Sequence, residues 1–439
     1  MRLGGRIQAA AEVLEDITQR RTPVTMALRD WGKSHRFAGS KDRSAIGNIV
    51  LDALRRKNSI GFRMNDESPR ALALGAVVFS SGVSVEDILD QTEGDKHFGA
   101  PLTEDQIAKL KGQIKLEDAP DWIRADVPDW LWPAFETNFD EEAVTEGAAL
   151  TERPPLDVRA NAIKATREQL ETSSASPTQI SPIGMRFPPV EGFGRHPNVQ
   201  SDTDFLTGKL EIQDEGSQIV SLLVAAKPGE TLLDYCAGGG GKSLALASDM
   251  GNNGAIYSFD IDKRRLAPTY ERAMRAGASI IKVVPPPAKS LNHLRGKVDR
   301  VLVDAPCTGV GTWRRKPDAK WRLTEDALGR RMAEQVKVLD QAKDFVKPGG
   351  FLFYVTCSML AAENEAQVYA FLERTSGFEL LSAGEVWEER FGVDGPKPWS
   401  ADGCTLTLTP ASTNTDGFFF AVMEKTCLLY TSPSPRDRG

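Results

Sequence analysis

The sequence predicts an α/β chain: a doubly wound, mostly parallel sheet over 205–426, an all-α segment over 1–145, and a small α+β bridge over 150–204. Three observations carry this. Beyond about 205, short apolar runs alternate with helical stretches, which implies a parallel sheet covered on both faces. Before 145, apolar residues recur at helical spacing. Between them, a Pro- and Ser-rich stretch opens at Arg153-Pro-Pro-Leu-Asp-Val-Arg159.

In the first segment, Ile7, Ala10, Ala11, Leu14 and Ile17 share one helix face, as do Ile46, Ile49, Val50 and Leu54. Leu72 to Phe79 and Val85 to Leu89 continue the pattern. No catalytic constellation lies here, so the segment suits binding rather than reaction. The bridge reads as a strand near 153–159, a helix over 165–170, and an irregular stretch through Pro188. Strands are then predicted at 231–236, 255–260, 279–284, 300–304 and 350–356, with helices over 242–250, 263–276 and 325–345. Residues 405–409 and 418–423 form a closing hairpin. Residues 427–439 have no periodicity and read as a non-native or disordered tail, whose removal is expected to leave activity unchanged.

Composition removes several function classes. With 439 residues, 41% of them hydrophobic, the chain can bury two or three cores. No apolar run approaches the roughly 18 residues of a membrane span, and the first residues lack a signal peptide's apolar core. Cys236, Cys307, Cys357, Cys404 and Cys427 are scattered, and His35, His97, His196 and His293 have no ligand spacing. A disulfide framework and a metal site are therefore not expected, nor is a membrane partner. A monomer in the reducing cytoplasm is expected. The net charge of −7 is unlike that of a nucleic-acid binder, but phosphate contacts are local. Arg20, Arg21, Arg29, Lys33, Arg36, Lys41, Arg43, Arg55, Arg56, Lys57 and Arg63 cluster with only Asp30, Asp42 and Asp52 between them. A second basic run comprises Arg314, Arg315, Lys316, Lys320 and Arg322. Both suit RNA phosphates or solvated surfaces.

Between a strand and a helix lies Asp234-Tyr-Cys236-Ala237-Gly238-Gly239-Gly240-Gly241-Lys242-Ser243. Glycines there allow positive φ and close approach of a ligand to the backbone. A P-loop requires glycine five places before Gly241, where Cys236 stands. A dinucleotide fingerprint requires glycine at 243 or 244, where Ser243 and Leu244 stand. Asp260, about 20 residues on, is placed for a ribose hydroxyl. Loop and acid together suit an adenosine-containing ligand without phosphates, or a plain tight turn.

Asp304-Ala-Pro-Cys307-Thr-Gly-Val-Gly311 follows the fourth strand, and Val355-Thr-Cys357-Ser358 the fifth. In a doubly wound sheet these carboxyl-end loops face one crevice. Either cysteine alone reads as a small buried hydrophobe. Two at one edge, in polar turns, point to thiol chemistry. Carbon 5 of cytosine accepts a methyl group only after a thiolate adds at carbon 6. A second cysteine can then assist breakdown of the adduct. Asp304 is the candidate to hold the base, and a raised pKa would let it donate a proton.

At these residues the sequence resembles the RsmB/Sun family of RNA 5-methylcytosine methyltransferases. The matching blocks are Ile212-Gln-Asp-Glu-Gly-Ser-Gln218, the glycine loop, and Asp304-Ala-Pro-Cys307 with Arg314-Arg-Lys-Pro-Asp318 and Trp321. Thr356-Cys-Ser358 with Glu363-Asn-Glu365, and Asp416-Gly-Phe-Phe-Phe420, complete the set. The resemblance implies a Rossmann-like methyltransferase domain, S-adenosylmethionine as cofactor, and a NusB-like RNA-binding domain at 1–145. The RNA partner it implies is 16S-type ribosomal RNA. It assigns Cys357 as nucleophile and Cys307 to adduct release. Asp304 falls at the target base and cofactor edge, and Cys236 to Lys242 with Asp260 around the cofactor. Two departures stand out. The family's Ala-Pro in the loop is Gly238-Gly239 here, and its acidic residue after the third strand is replaced by Val283-Val284-Pro285-Pro286-Pro287. Other readings are a non-catalytic RNA-binding assembly factor, a P-loop NTPase, and an amino-methyltransferase in which Asp304-Ala-Pro-Cys307 imitates D-P-P-Y.

Overall fold

The computed structural model describes residues 1–170 and 174–426. The expected tail at 427–439 lies outside the described residues. Helices occupy the chain from Leu3 to Ala149, so the helical segment runs slightly past 145. Packing divides it in two. Ile7, Leu14, Ile46, Ile49, Val50 and Leu74 belong to one core that ends near Leu110. Ala125, Leu131, Phe135 and Leu150 belong to another, which includes Val310, Trp313, Met359 and Leu360. The last four sit in the loops that follow the two cysteine-bearing strands. The later helices thus underlie the catalytic loops, and the single module expected over 1–145 is two packing units.

The bridge is a four-stranded antiparallel sheet made of β1 (Leu156–Ala160), β2 (Ser176–Pro177), β3 (Gly184–Phe187) and β4 (Leu210–Ile212), in the spatial order β2-β3-β1-β4. It reaches past 204, because β4 pairs with β1. The helix expected over 165–170 is one short 3₁₀ turn, Arg167–Gln169.

The main sheet contains β5 (Thr231–Asp234), β6 (Ala255–Phe259), β7 (Ile281–Val284), β8 (Val298–Asp304), β9 (Val346–Thr356), β10 (Phe378–Leu380), β11 (Thr405–Leu408) and β12 (Phe418–Lys425). Its order is β10-β12-β9-β8-β5-β6-β7, with β11 paired to β12. The five strands from β5 to β9 are parallel, and β12 runs antiparallel to β9. Strand order reverses between β5 and β8, which places a crevice at their carboxyl ends. The helix expected over 263–276 is two, Lys263–Leu266 and Pro268–Ala276. Pro268 has no N–H to continue the first.

The second basic run does not face solvent as a whole. Arg314 is buried, its Nε donating to Asp416 at 2.6 Å, while Arg315 bonds Asp416 and Asp214. Lys320 is buried and donates to the carbonyls of Arg55 and Asp126. Arg55 in turn donates to the carbonyl of Arg314 at 2.7 Å. Trp321 donates to the Leu54 carbonyl, and Asp318 accepts from the Val24 amide. The run is a clasp between the helical segment and the catalytic domain, and only Lys316 remains exposed without a side-chain partner.

Removing one partner of a buried ion pair leaves the other uncompensated. Arg314→Ala is expected to cost ~3–5 kcal/mol in urea unfolding, whereas exposed Lys316→Ala stays within about 0.5 kcal/mol. A loss below about 1 kcal/mol for Arg314→Ala would show that its buried pair with Asp416 does not hold the segment after the Cys307 loop.

Candidate active site

β5, β8 and β9 are neighbours, so the loops following them meet. The loop after β8 carries Cys307 and the loop after β9 carries Cys357, and their Sγ atoms lie 3.4 Å apart. The two loops are locked together. Gly311 donates its amide to the Cys357 carbonyl at 3.0 Å, and Gly417 donates to the Gly311 carbonyl at 2.8 Å. A Cβ on Gly311 would lie 2.3 Å from the Gly417 carbonyl oxygen, so only glycine permits this approach.

Fully buried Glu363 fixes the Cys307 loop by accepting from the Thr308 amide at 2.8 Å and the Thr308 hydroxyl at 2.5 Å. Gln335 bridges Glu363 to the Pro306 carbonyl. On the other loop, the Thr356 hydroxyl bonds Asn364, whose amide returns to the Ser358 carbonyl. Sequence reasoning quoted Glu363 and Asn364 in a matching block and gave them no role. The available signal was their polarity beside the buried end of β9.

The shared hydrogen bond with Cys307 pulls Cys357 below the ordinary thiol range, with Lys242 and Lys316 assisting against the cost of burial. The same bond, together with burial, pushes Cys307 well up. The two shifts run in opposite directions, so of the two sulfurs Cys357 is the one that ionises first while Cys307 keeps its proton.

Lys242, expected at the cofactor loop, is buried and places Nζ 2.6 Å from Asp304 Oδ2. Asp304 outweighs burial and raises the Lys242 pKa. As half of an ion pair, Asp304 is an acceptor. It can take a hydrogen bond from an exocyclic amine, while donation to the ring would require losing Lys242.

The glycine loop connects β5 to the helix Gly241–Asp249, with φ +49° at Gly238 and +77° at Gly240. Asp260, buried at the end of β6, accepts from the Gly238 amide at 2.9 Å and the Asp262 amide at 2.8 Å. It clamps the loop and retains further acceptor capacity. Arg272 donates to the Gly239 carbonyl at 2.6 Å and pairs with Glu211. Cys236 packs beside the loop, and burial drives its thiol well up, which marks it as inert rather than nucleophilic. Sequence reasoning missed a buried chain beneath the loop, running from the Ser258 hydroxyl to Ser243 and from Ser243 to Asp234. Burial pushes Asp234 up to about 7, with Asp304 and Asp260 adding to it, and its Oδ1 has no partner. No acidic residue follows β7, as its sequence indicated.

Known proteins resemble this chain in sequence and fold. The sequence profile of the 16S rRNA methyltransferase RsmB/F family matches residues 221–424. The ribosomal RNA small subunit methyltransferase B of Thermus thermophilus is 30% identical, over 96% of this chain and 94% of its own length. The chain belongs to this family. A probable member from Bacillus subtilis is 33% identical over 68% of this chain and 66% of its own length. The crystal structure of PH0851 superposes with a TM-score of 0.71 at 25% identity, covering 97% of this chain and all of that one. The cofactor of the family is S-adenosylmethionine. Its site fits: Gly238 and Gly240 take positive φ and a Cβ there would meet Arg265 at 3.2 Å and Thr269 at 2.6 Å, so these positions stay glycine and the loop presents bare backbone. The first-turn amides of the following helix favour an anionic group, and Asp260 suits ribose hydroxyls. No helix among the described residues is long and apolar enough to cross a membrane.

Because Cys307 lowers the Cys357 pKa, Cys307→Ala should move Cys357 alkylation by iodoacetamide to higher pH. At neutral pH, before the ordinary thiol range, the variant should react more slowly than the parent. Superimposable pH–rate curves would rule out the thiol–thiolate arrangement.

Proposed function

We propose that this chain forms 5-methylcytosine in small-subunit ribosomal RNA, as a cytoplasmic S-adenosylmethionine-dependent methyltransferase acting through a covalent Cys357–carbon 6 adduct. The observation that carries the proposal is the 3.4 Å separation of two thiols whose pKa values are shifted in opposite directions. Family membership supports the ribosomal RNA substrate.

The Cys357 thiolate adds to carbon 6, forming an S–C bond and shifting the C5–C6 π electrons onto carbon 5. S-adenosylmethionine, when bound, supplies an electrophilic methyl group on a sulfonium. Carbon 5 then carries both methyl and hydrogen. Loss of that proton returns its electron pair to the C5–C6 bond and expels Cys357 as thiolate. Cys307 is the acceptor for the proton. Its pKa is high mainly because it shares a hydrogen bond with Cys357. Once Cys357 is a neutral thioether that cause is gone, so Cys307 can release its own proton to solvent and become the base. The order of steps is thus built into the pair. Asp304, held by Lys242, would take the exocyclic amine of the base.

The missing acid after β7 favours a second reading, a catalytically weak RNA-binding assembly factor. The two separate cleanly. Cys357→Ala should abolish 5-methylcytosine in bisulfite mapping of ribosomal RNA, and Cys307→Ala should accumulate a denaturation-resistant RNA–protein adduct. Unchanged methylation in Cys357→Ala, or normal turnover without adduct in Cys307→Ala, would refute the mechanism. Absence of any 5-methylcytosine from the parent protein would favour the assembly factor.

A further inference from the structure

The helical segment carries a feature the reaction does not use. Trp31 and His35, one turn apart on the helix Val24–Ser34 and its cap, stack with ring centroids 4.2 Å apart and planes 12° apart. Phe37 meets His35 edge-on at 5.8 Å and is 72% exposed. Such a large ring normally seeks burial. The three rings form one wall of a cavity of about 660 Å3, with Gln8, Lys96 and His97 across from them.

We propose that this cavity receives an unpaired base of the RNA substrate, stacked against the aromatic wall. The wall is rigid. Trp31 packs partly into the first core and donates Nε1–H to Glu12 at 3.0 Å, while His35 Nδ1–H donates to the Trp31 carbonyl at 2.9 Å. A fixed aromatic face is the general device for holding single-stranded nucleic acid, because every base has a π face. Among the described residues Gln8 has no hydrogen-bonded partner for its side chain, and it can meet a base edge with both donor and acceptor. Charge favours RNA over an apolar peptide. Arg2 and Lys96 line the cavity, and Arg36 lies between His35 and Phe37 in the chain; all three are exposed and make no ion pair among the described residues. Of the nearby acids, Glu12 accepts from Trp31 and Asp42 pairs with Arg6, while Asp95 is buried, with Oδ1 accepting from the His97 amide and Oδ2 unpartnered among the described residues.

Position connects the cavity to the reaction. The Val24 amide that starts the aromatic-bearing helix donates to Asp318, two residues beyond exposed Lys316. That helix has 11 residues, so its far end lies roughly 16 Å from the Asp318 contact. The cavity is thus tied through one helix to the chain segment that follows the Cys307 loop, and a strand of several nucleotides lying along it would place one base in the cavity.

The inference rests on an RNA substrate but not on the chemistry at cytosine. Its test is therefore a binding titration of the full chain without cofactor, using a labelled single-stranded oligoribonucleotide of about twelve nucleotides. Phe37→Ala and His35→Ala should each weaken binding on the order of tenfold, leaving the salt dependence unchanged. Lys96→Ala should flatten the slope of log Kd against log salt by about one. Affinity for a blunt duplex should be the same in parent and Phe37→Ala. Single-strand affinity within twofold of the parent in both ring variants would overturn the proposal, as would parallel losses for single strand and duplex. Cofactor binding, read by calorimetry, should stay intact in every variant and separates a local effect from unfolding. A parent that binds RNA but makes no 5-methylcytosine would fail the proposed reaction and leave this site standing.

Discussion

Two thiols 3.4 Å apart in a poorly solvated pocket cannot both ionise, and the rest of the catalytic domain is arranged around that constraint. If one proton stays in the pair, which sulfur keeps it depends on the surroundings. The hydrogen bond between the sulfurs lowers Cys357 and raises Cys307; burial and Asp304 work against a thiolate on either, Lys242 and Lys316 favour one on Cys357, and Glu363 disfavours one on Cys307. The asymmetry depends on keeping the two sulfurs within hydrogen-bond reach, and the hydrogen bonds behind both loops serve that. Glu363, Thr308, Gln335, Thr356 and Asn364 touch no reactant, yet they hold two turns whose separation sets the acidity of the sulfur atoms.

That rigidity extends into the helical segment. Val310, Trp313, Met359 and Leu360 come from the two cysteine loops and share a core with helices between Ala125 and Leu150. The contacts of buried Lys320 with the Arg55 and Asp126 carbonyls, and of buried Arg55 with the Arg314 carbonyl, lie just beyond. Buried charges stabilise little in net terms, because desolvation offsets their attraction, but they tolerate few alternative geometries. Here they fix where the helical segment sits relative to the thiols. A substrate-recognition surface on that segment gains a defined distance to the reaction centre.

Much of this was legible in the sequence, for a definite reason. Strand order follows from alternating apolar and helical runs, and residues after β5, β8 and β9 must then share a crevice, so Cys307, Cys357, Asp304 and the glycine loop could be brought together before any coordinates. Side-chain pairing across the chain was not legible. Arg314 and Lys320 look like surface charge in a linear reading, because their partners lie about 100 and 265 residues away. The break at Pro268 was readable and was passed over, since the apolar spacing continues across it. The division of the helices into two cores has no local signature, as it depends on which loops they meet.

The glycine loop shows how a departure from a family pattern can be compensated. Gly238-Gly239 stand where the family has Ala-Pro, and two glycines alone would leave the loop with more conformational freedom. Asp260 restrains the first through its amide, and Arg272 restrains the second through its carbonyl. Arg272 also pairs with buried Glu211 on β4, which engages Arg275 as well. The cofactor loop is therefore tethered to the bridging sheet, and side chains too bulky to approach an alanine-proline turn supply the stiffness. The bridge is then more than a spacer: shifting β4 would move Arg272, and with it the backbone that faces the cofactor.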